Sequence, residues 1–233
     1  LIRKIDPSGN VTTIAGQAGV SGSDDGQGTF AKFYRPSDIA VDSYNNVYVA
    51  DRGNHLIRKI TPSGKVTTLA GQNGISGSND GHMTSAKFNN PNSVAVDTHN
   101  NIYVGDFVNH LIRKIDPSGN VTTIAGQAGV SGYTDGNGIS ASFHKPQGIA
   151  VDLSGNLYVA EQYNHLIRKL EGVNSSDVPE NDNHTYQEIF RGTTQHTVTE
   201  GTNSLNLRLS PLLDDRELTV PRITRIERPF QLT

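Results

Sequence analysis

The chain has 233 residues and a formal net charge of −3, from 20 Lys and Arg against 23 Asp and Glu, so no bulk field draws it to nucleic acid or an anionic membrane. It has no Cys, which excludes a disulfide framework, a thiolate zinc site and a thiol nucleophile. Its 24 Gly alternate with short β-branched runs, the composition of many short strands and tight turns, and no apolar run is long enough to span a bilayer.

In chain order, residues 1–22 read as a strand, a Pro-Ser-Gly turn and a second strand, and they recur unchanged at 111–132. The chain thus opens inside a repeat. The first complete unit predicts four strands, Ser37 to Val41, Asn46 to Ala50, Leu56 to Ile60 and Lys65 to Ala70. Ile39-Ala40-Val41 is apolar throughout, as expected of a strand buried on both faces. Ser43-Tyr44-Asn45-Asn46 and Thr61-Pro62-Ser63-Gly64 are turn signals. A Gly-rich connection of about 20 residues leads to Pro91 and the next unit.

The segment Asn54-His55-Leu56-Ile57-Arg58-Lys59 returns at Asn109 to Lys114 and at Asn164 to Lys169, each time after 55 residues. Units are expected at about 1–35, 36–90, 91–145 and 146–170. A polar linker follows over 171–185. A β-rich tail over 186–233, with alternation at Thr197-Val198-Thr199 and Leu205 to Leu209, reads as part of another module. Arg222, Arg225 and Arg228 there alternate with Ile223 and Ile226, as on a solvated strand face.

Four antiparallel strands per unit, which cannot bury their faces without neighbours, point to an all-β β-propeller. The Asn-His-Leu core, the preceding apolar-Tyr-Val strand and the Pro-x-x-Ile/Val-Ala-Val-Asp strand resemble NHL-repeat propellers over residues 1–170, and the long Asp-Gly connections resemble bacterial members. Most members have six blades. Thirteen strands make a partial ring of about three blades plus an extra strand, below the 4–8 blades of known rings. The expectation is a piece of a longer ring, or two copies closing one as a dimer. In the tail, Val198 to Leu207 resembles the closing strands of carboxypeptidase-regulatory-like β-sandwiches, which places the parent outside the cell or on its surface.

The loop leading into the third strand and the long connection share one end of each blade. At that end the copies differ: Arg52-Gly53, Phe107-Val108 and Gln162-Tyr163 in the loop, and Tyr34-Arg35, Asn89-Asn90 and His144-Lys145 before the Pro. Residues that vary between near-identical units are free of the shared scaffold duty, and aromatic and Arg side chains are enriched at binding hot spots. This face is expected to bind a protein, peptide or glycan, with no cofactor.

His55, His110 and His165 sit at matching places on successive blades, cannot converge on one ion, and read as structural. Arg58, Arg113 and Arg168 are expected to pair with Asp51, Asp106 and Glu161. Asp42, Asp97 and Asp152 end the innermost strands, where a ring of carboxylates could hold a cation, although each is better read as starting its own turn. The Asp25-Gly26, Asp80-Gly81 and Asp135-Gly136 pairs read as turns without calcium-loop spacing. No Gly-x-Ser-x-Gly, P-loop or HExxH motif occurs. The resemblance leaves two other readings: a propeller lyase or lactone hydrolase with a channel metal, and an RNA-binding NHL domain, against which the charge balance speaks. The family's peptide-amidating lyase depends on disulfides that this chain has no Cys to form.

Overall fold

The computed structural model describes residues 1–172, which hold 15 strands in four antiparallel sheets. The first sheet is β1 (Ile2–Ile5) with β2 (Val11–Ala15). The second contains β3 (Gly26–Gln27), β4 (Pro36–Val41), β5 (Val47–Asp51), β6 (Leu56–Ile60) and β7 (Lys65–Ala70), in the order β3-β7-β6-β5-β4. The third repeats this with β8 (Gly81–His82), β9 (Pro91–Val96), β10 (Ile102–Asp106), β11 (Leu111–Ile115) and β12 (Asn120–Ala125). The fourth is β13 (Pro146–Val151), β14 (Leu157–Glu161) and β15 (Leu166–Leu170).

Registers match from blade to blade. Val49 faces Arg58, Val104 faces Arg113, and Val159 faces Arg168. The innermost strands β4, β9 and β13 are tied in series. Ser37 Oγ donates to the Asn92 carbonyl at 2.8 Å, and Asn92 Nδ2 to the Gln147 carbonyl at 2.9 Å. Alternation along each strand sends one set of side chains forward and the other back. Tyr48, Ala50 and Ile57 therefore pack on Phe88, Val94 and Val104 of the next blade, while Val49, Ile60 and Val66 pack on Ile2, Ala15 and Phe33. Tyr103 and Ile112 pack in turn on Phe143, Leu157 and Val159. These residues form a β-propeller arc that does not close into a ring.

The third and fourth strands of the first complete unit have their expected bounds, and the first and second differ by a residue at their ends. Two readings are corrected. The connections are not plain loops: each complete blade gains a fifth, two-residue strand, β3 on β7 and β8 on β12. This places part of each connection with the blade that follows it. A two-residue strand is too short to show alternation, so the pattern could not reveal it. The innermost strand is also not buried on both faces in every blade. β9 is buried almost throughout, but Ile39 and Val41 of β4 are 46% and 53% exposed. The sheet before β4 has only outer strands among the described residues, which leave that face partly open. Ala150 of β13 is exposed at the other end of the arc, where no further sheet follows among the described residues.

Among the described residues no helix is long and apolar enough to cross a membrane. The expected strands of 186–233, with Arg222, Arg225 and Arg228, and most of the linker lie outside the described residues.

Candidate functional site

A carboxylate closes the second strand of each blade: Asp51, Asp106 and Glu161, all buried. One oxygen of Asp51 accepts the backbone N–H of Tyr34 at 2.8 Å. The other accepts Asn54 Nδ2 at 2.8 Å and Arg58 Nη1 at 2.9 Å. Asp106 holds Asn89 N–H, Asn109 and Arg113 in the same way, and Glu161 holds His144 N–H, Asn164 and Arg168. Burial raises the Asp51 carboxyl and pushes Asp106 up to about 6, against the donated hydrogen bonds and the Arg charge that pull both down.

Arg58 and Arg113 are fully buried. Arg58 Nη2 reaches back to Asp25 Oδ1 at 2.7 Å and the Asp24 carbonyl at 3.0 Å, and its guanidinium lies 5.1 Å from the Phe33 ring centroid. Asp25 also accepts the Thr68 N–H of β7 at 3.0 Å. The Asp-Gly pair of the connection is thus a clamp on Arg58 and the outer strand, a role the turn reading missed. Asp80 repeats it with Arg113 and Thr123, and Asp135 pairs with Arg168.

The motif His links blades. His55 Nδ1 accepts the backbone N–H of Asn90, and His110 Nδ1 that of Lys145, both at 3.0 Å. An accepting Nδ1 requires the neutral ring with its proton on Nε2. Burial lowers the pKa of both, which favours that form. The backbones before each Pro are therefore fixed by shared scaffold groups, Arg35, Asn90 and Lys145 with φ of 54°, 53° and 55°. Their side chains are left to vary.

Five of the varying side chains meet in one row. Arg52 of the second sheet lies 4.9 Å from the ring centroid of Phe107 in the third. Lys145 Nζ, before the fourth sheet, lies 5.7 Å from Phe107 and 4.5 Å from Tyr163. Phe107 and Tyr163 meet edge-on at 6.4 Å, and His144 packs on Tyr163 at 5.2 Å and on His110 at 5.5 Å. Tyr163 is 51% exposed, but Phe107 is only 8% exposed beneath its two cations, so it shapes the surface more than it presents itself. Tyr34, 41% exposed, carries Arg35 over its ring at 5.4 Å as a separate pair at the start of the second sheet. Asn89 and Asn90 are half-buried before β9, and Gln162 is exposed beside Tyr163.

Asp42, Asp97 and Asp152 lie at the opposite end. Asp42 Oδ1 accepts Tyr44 N–H at 2.9 Å and Asn46 N–H at 2.8 Å, and Oδ2 accepts Asn46 Nδ2 at 2.8 Å and the Tyr48 hydroxyl at 3.0 Å. Asp97 and Asp152 repeat these bonds. Each carboxylate is engaged by its own turn. Burial pulls the Asp42 carboxyl upward, but the four bonds together outweigh it and hold it below its ordinary value. Burial and the adjoining carboxylate raise the phenols of Tyr48 and Tyr103.

The family described as NHL repeat matches residues 33–60, 88–115 and 143–170, each stretch running from the Phe beneath the buried Arg to the end of the third strand. NHL repeat-containing protein 2 of Homo sapiens is 28% identical over 218 residues, 87% of this chain and 27% of that protein. The chloroplastic protein SUPPRESSOR OF QUENCHING 1 of Arabidopsis thaliana is 32% identical over 149 residues, 60% of this chain and 14% of that protein. A solved structure of a Bacteroides thetaiotaomicron protein of unknown function is similar with a TM-score of 0.58 and 32% identity, covering 70% of this chain and 40% of that one. The chain spans well under two thirds of the length of each.

Proposed function

Taking as premise that this chain belongs to the NHL-repeat family, we propose that its propeller is a non-catalytic interaction scaffold that binds a protein, peptide or glycan on the loop face. One observation carries the reading. Three successive sheets bring Arg52, Phe107, Lys145 and Tyr163 into a single row from positions whose side chains the repeat does not use. The row joins the residue types that dominate interface energetics to a rigid sheet framework, which positions them at little entropic cost. His144 packs at the end of the row, Asn89, Asn90 and Gln162 lie beside it, and Tyr34 with Arg35 forms a separate pair on the same face.

The test is an array of peptides and glycans probed with the full chain and with Arg52→Ala, Tyr163→Ala and the double variant. The reading expects ligands to disappear from the array for the variants at unchanged thermal stability. An array pattern shared by wild type and double variant defeats it.

A further inference from the structure

The scaffold reading leaves the ligand chemistry open, and the electrostatics of the row narrow it. None of the positions 34–35, 52–53, 89–90, 107–108, 144–145 and 162–163 is acidic, while they carry Arg35, Arg52, Lys145 and His144, in a chain whose net charge is −3. Among the described residues Arg35, Arg52 and Lys145 enter no ion pair, unlike Lys32, which Asp24 holds at 2.7 Å. The carboxylates nearest in sequence, Asp51, Asp106 and Glu161, are buried and already held by Arg58, Arg113 and Arg168. Asp38, two residues past the Pro36 position, spends its oxygens on Ile39 N–H and Val94 N–H. Arg35 is exposed and Arg52 and Lys145 are half-buried, and among the described residues none of the three has a counter-charge.

The aromatic rings do not compete for this role. A sugar or a base stacks on a bare ring face. Here Arg52 and Lys145 lie over Phe107, Lys145 over Tyr163 and Arg35 over Tyr34. Each of these rings carries a cation over a face, so N–H donors stand where a sugar or base would stack, although Tyr34 and Tyr163 remain partly exposed. Arg52, with its planar fork, suits a bidentate carboxylate.

We infer that the loop face takes an acidic peptide, whose Asp or Glu carboxylates pair with Arg52 and Lys145 in adjacent blades and with Arg35 further along the arc. The inference rests on the scaffold reading and adds to it the class of ligand.

The full chain is titrated with fluorescein-labelled octaglutamate, with octaglutamine as the uncharged control and with an oligogalacturonate and an oligouridylate as competitors. Octaglutamate binds, octaglutamine binds at least about tenfold more weakly, and the affinity falls as salt rises, since exposed charge pairs are screened. Arg52→Gln and Lys145→Met, which keep side-chain bulk over Phe107, each weaken octaglutamate about threefold to tenfold. Arg52→Glu together with Lys145→Glu abolishes binding. If octaglutamate does not bind, or binds the charge-reversed chain equally well, the acidic-peptide inference falls. The scaffold reading then survives only if Arg52→Ala and Tyr163→Ala still remove ligands from the array. Tighter binding of the galacturonate or the oligouridylate also overturns the choice of a peptide.

Discussion

His55 Nδ1 and the backbone N–H of Asn90 form a 3.0 Å hydrogen bond that joins one blade to the next, and His110 repeats it with Lys145. His165 has the same sequence context and the same left-handed backbone, with φ of 58°, but no following blade among the described residues. It is therefore an internal control. His110→Ala leaves the Lys145 N–H without its acceptor and lowers stability by about 1 kcal/mol, whereas His165→Ala stays within about 0.5 kcal/mol. Urea denaturation of the two variants checks this. Equal losses would mean the bond between blades contributes nothing.

The same bond makes stability depend on pH. The free ring protonates near 6.5, and burial keeps the folded His55 and His110 neutral to lower pH. Their contribution is fully present above 6.5 and is lost as pH falls through the lower folded values. Between pH 7.5 and 5.5 the melting temperature of wild type falls more than that of the double variant His55→Ala, His110→Ala. Parallel pH profiles would refute the role of the neutral rings.

The buried pair of Asp106 and Arg113 behaves in the opposite sense. Burial raises Asp106 from 3.8 to about 6, so its contribution is fully present below pH 3.8 and is lost as pH rises through about 6. At neutral pH the pair carries a desolvation penalty, which the bonds of Asp106 and of the two Arg113 Nη atoms offset while Arg113 Nε stays buried without a partner among the described residues. Asp106→Ala, which leaves the fully buried Arg113 only Asp80 and the Lys87 and Asn79 carbonyls, costs about 3 kcal/mol, and Asp106→Leu with Arg113→Met together cost much less. Asp80→Asn, on the half-exposed arm of the same Arg, costs only about 1 kcal/mol. Denaturation of these three variants fixes their order. A double variant as unstable as Asp106→Ala would reject the penalty argument.

How much of this was legible follows from what each feature needs. The strands of residues 56–60 and 65–70 were readable because turn residues bound the same short run in each copy. The pairing of Arg58 with Asp51 was readable because both recur together. The partners of His55 and Asp25 were not readable, since each lies far along the chain: His55 bonds Asn90 at the entry to the next blade, 35 residues away, and Asp25 bonds Thr68, 43 residues away. Comparing copies marked the loop face, because variation at positions 52, 107 and 163 stood out against identity elsewhere. It could not reveal that Phe107 is covered, since burial there depends on Arg52 and Lys145 arriving from the blades on either side.

Gly126 separates a packing requirement from a backbone one. Its φ is 92°, and a Cβ would stand 2.5 Å from the His110 carbonyl oxygen, at the place where the chain leaves the blade. At Gly129, with φ of 75°, a Cβ would meet no atom within 4 Å. Both substitutions to Ala incur a left-handed backbone penalty of about 1 kcal/mol, but only Gly126→Ala adds a clash with backbone that cannot move aside. Gly126→Ala is expected to cost at least about 2 kcal/mol and Gly129→Ala about 1 kcal/mol, read from thermal melts. Equal effects would show that the outgoing loop yields freely.

Phe107 and Tyr163 lie 6.4 Å apart in the row, yet their substitutions should read out differently. Phe107 is almost buried, between Arg52 and Lys145 and against Tyr163, so Phe107→Ala removes packing from three blades at once and costs about 2–3 kcal/mol. Tyr163 is half-exposed, and Tyr163→Ala costs less than about 1 kcal/mol. If the row binds a ligand, Tyr163→Ala and Arg52→Ala weaken it at unchanged melting temperature, while Phe107→Ala weakens it together with a fall in melting temperature. Phe107→Leu, which keeps apolar volume but withdraws the ring face beneath both cations, then isolates the positioning role: stability is largely restored and octaglutamate affinity is not. Full recovery of affinity in Phe107→Leu would show that the ring only fills space and that Arg52 and Lys145 need no aromatic support to meet a carboxylate.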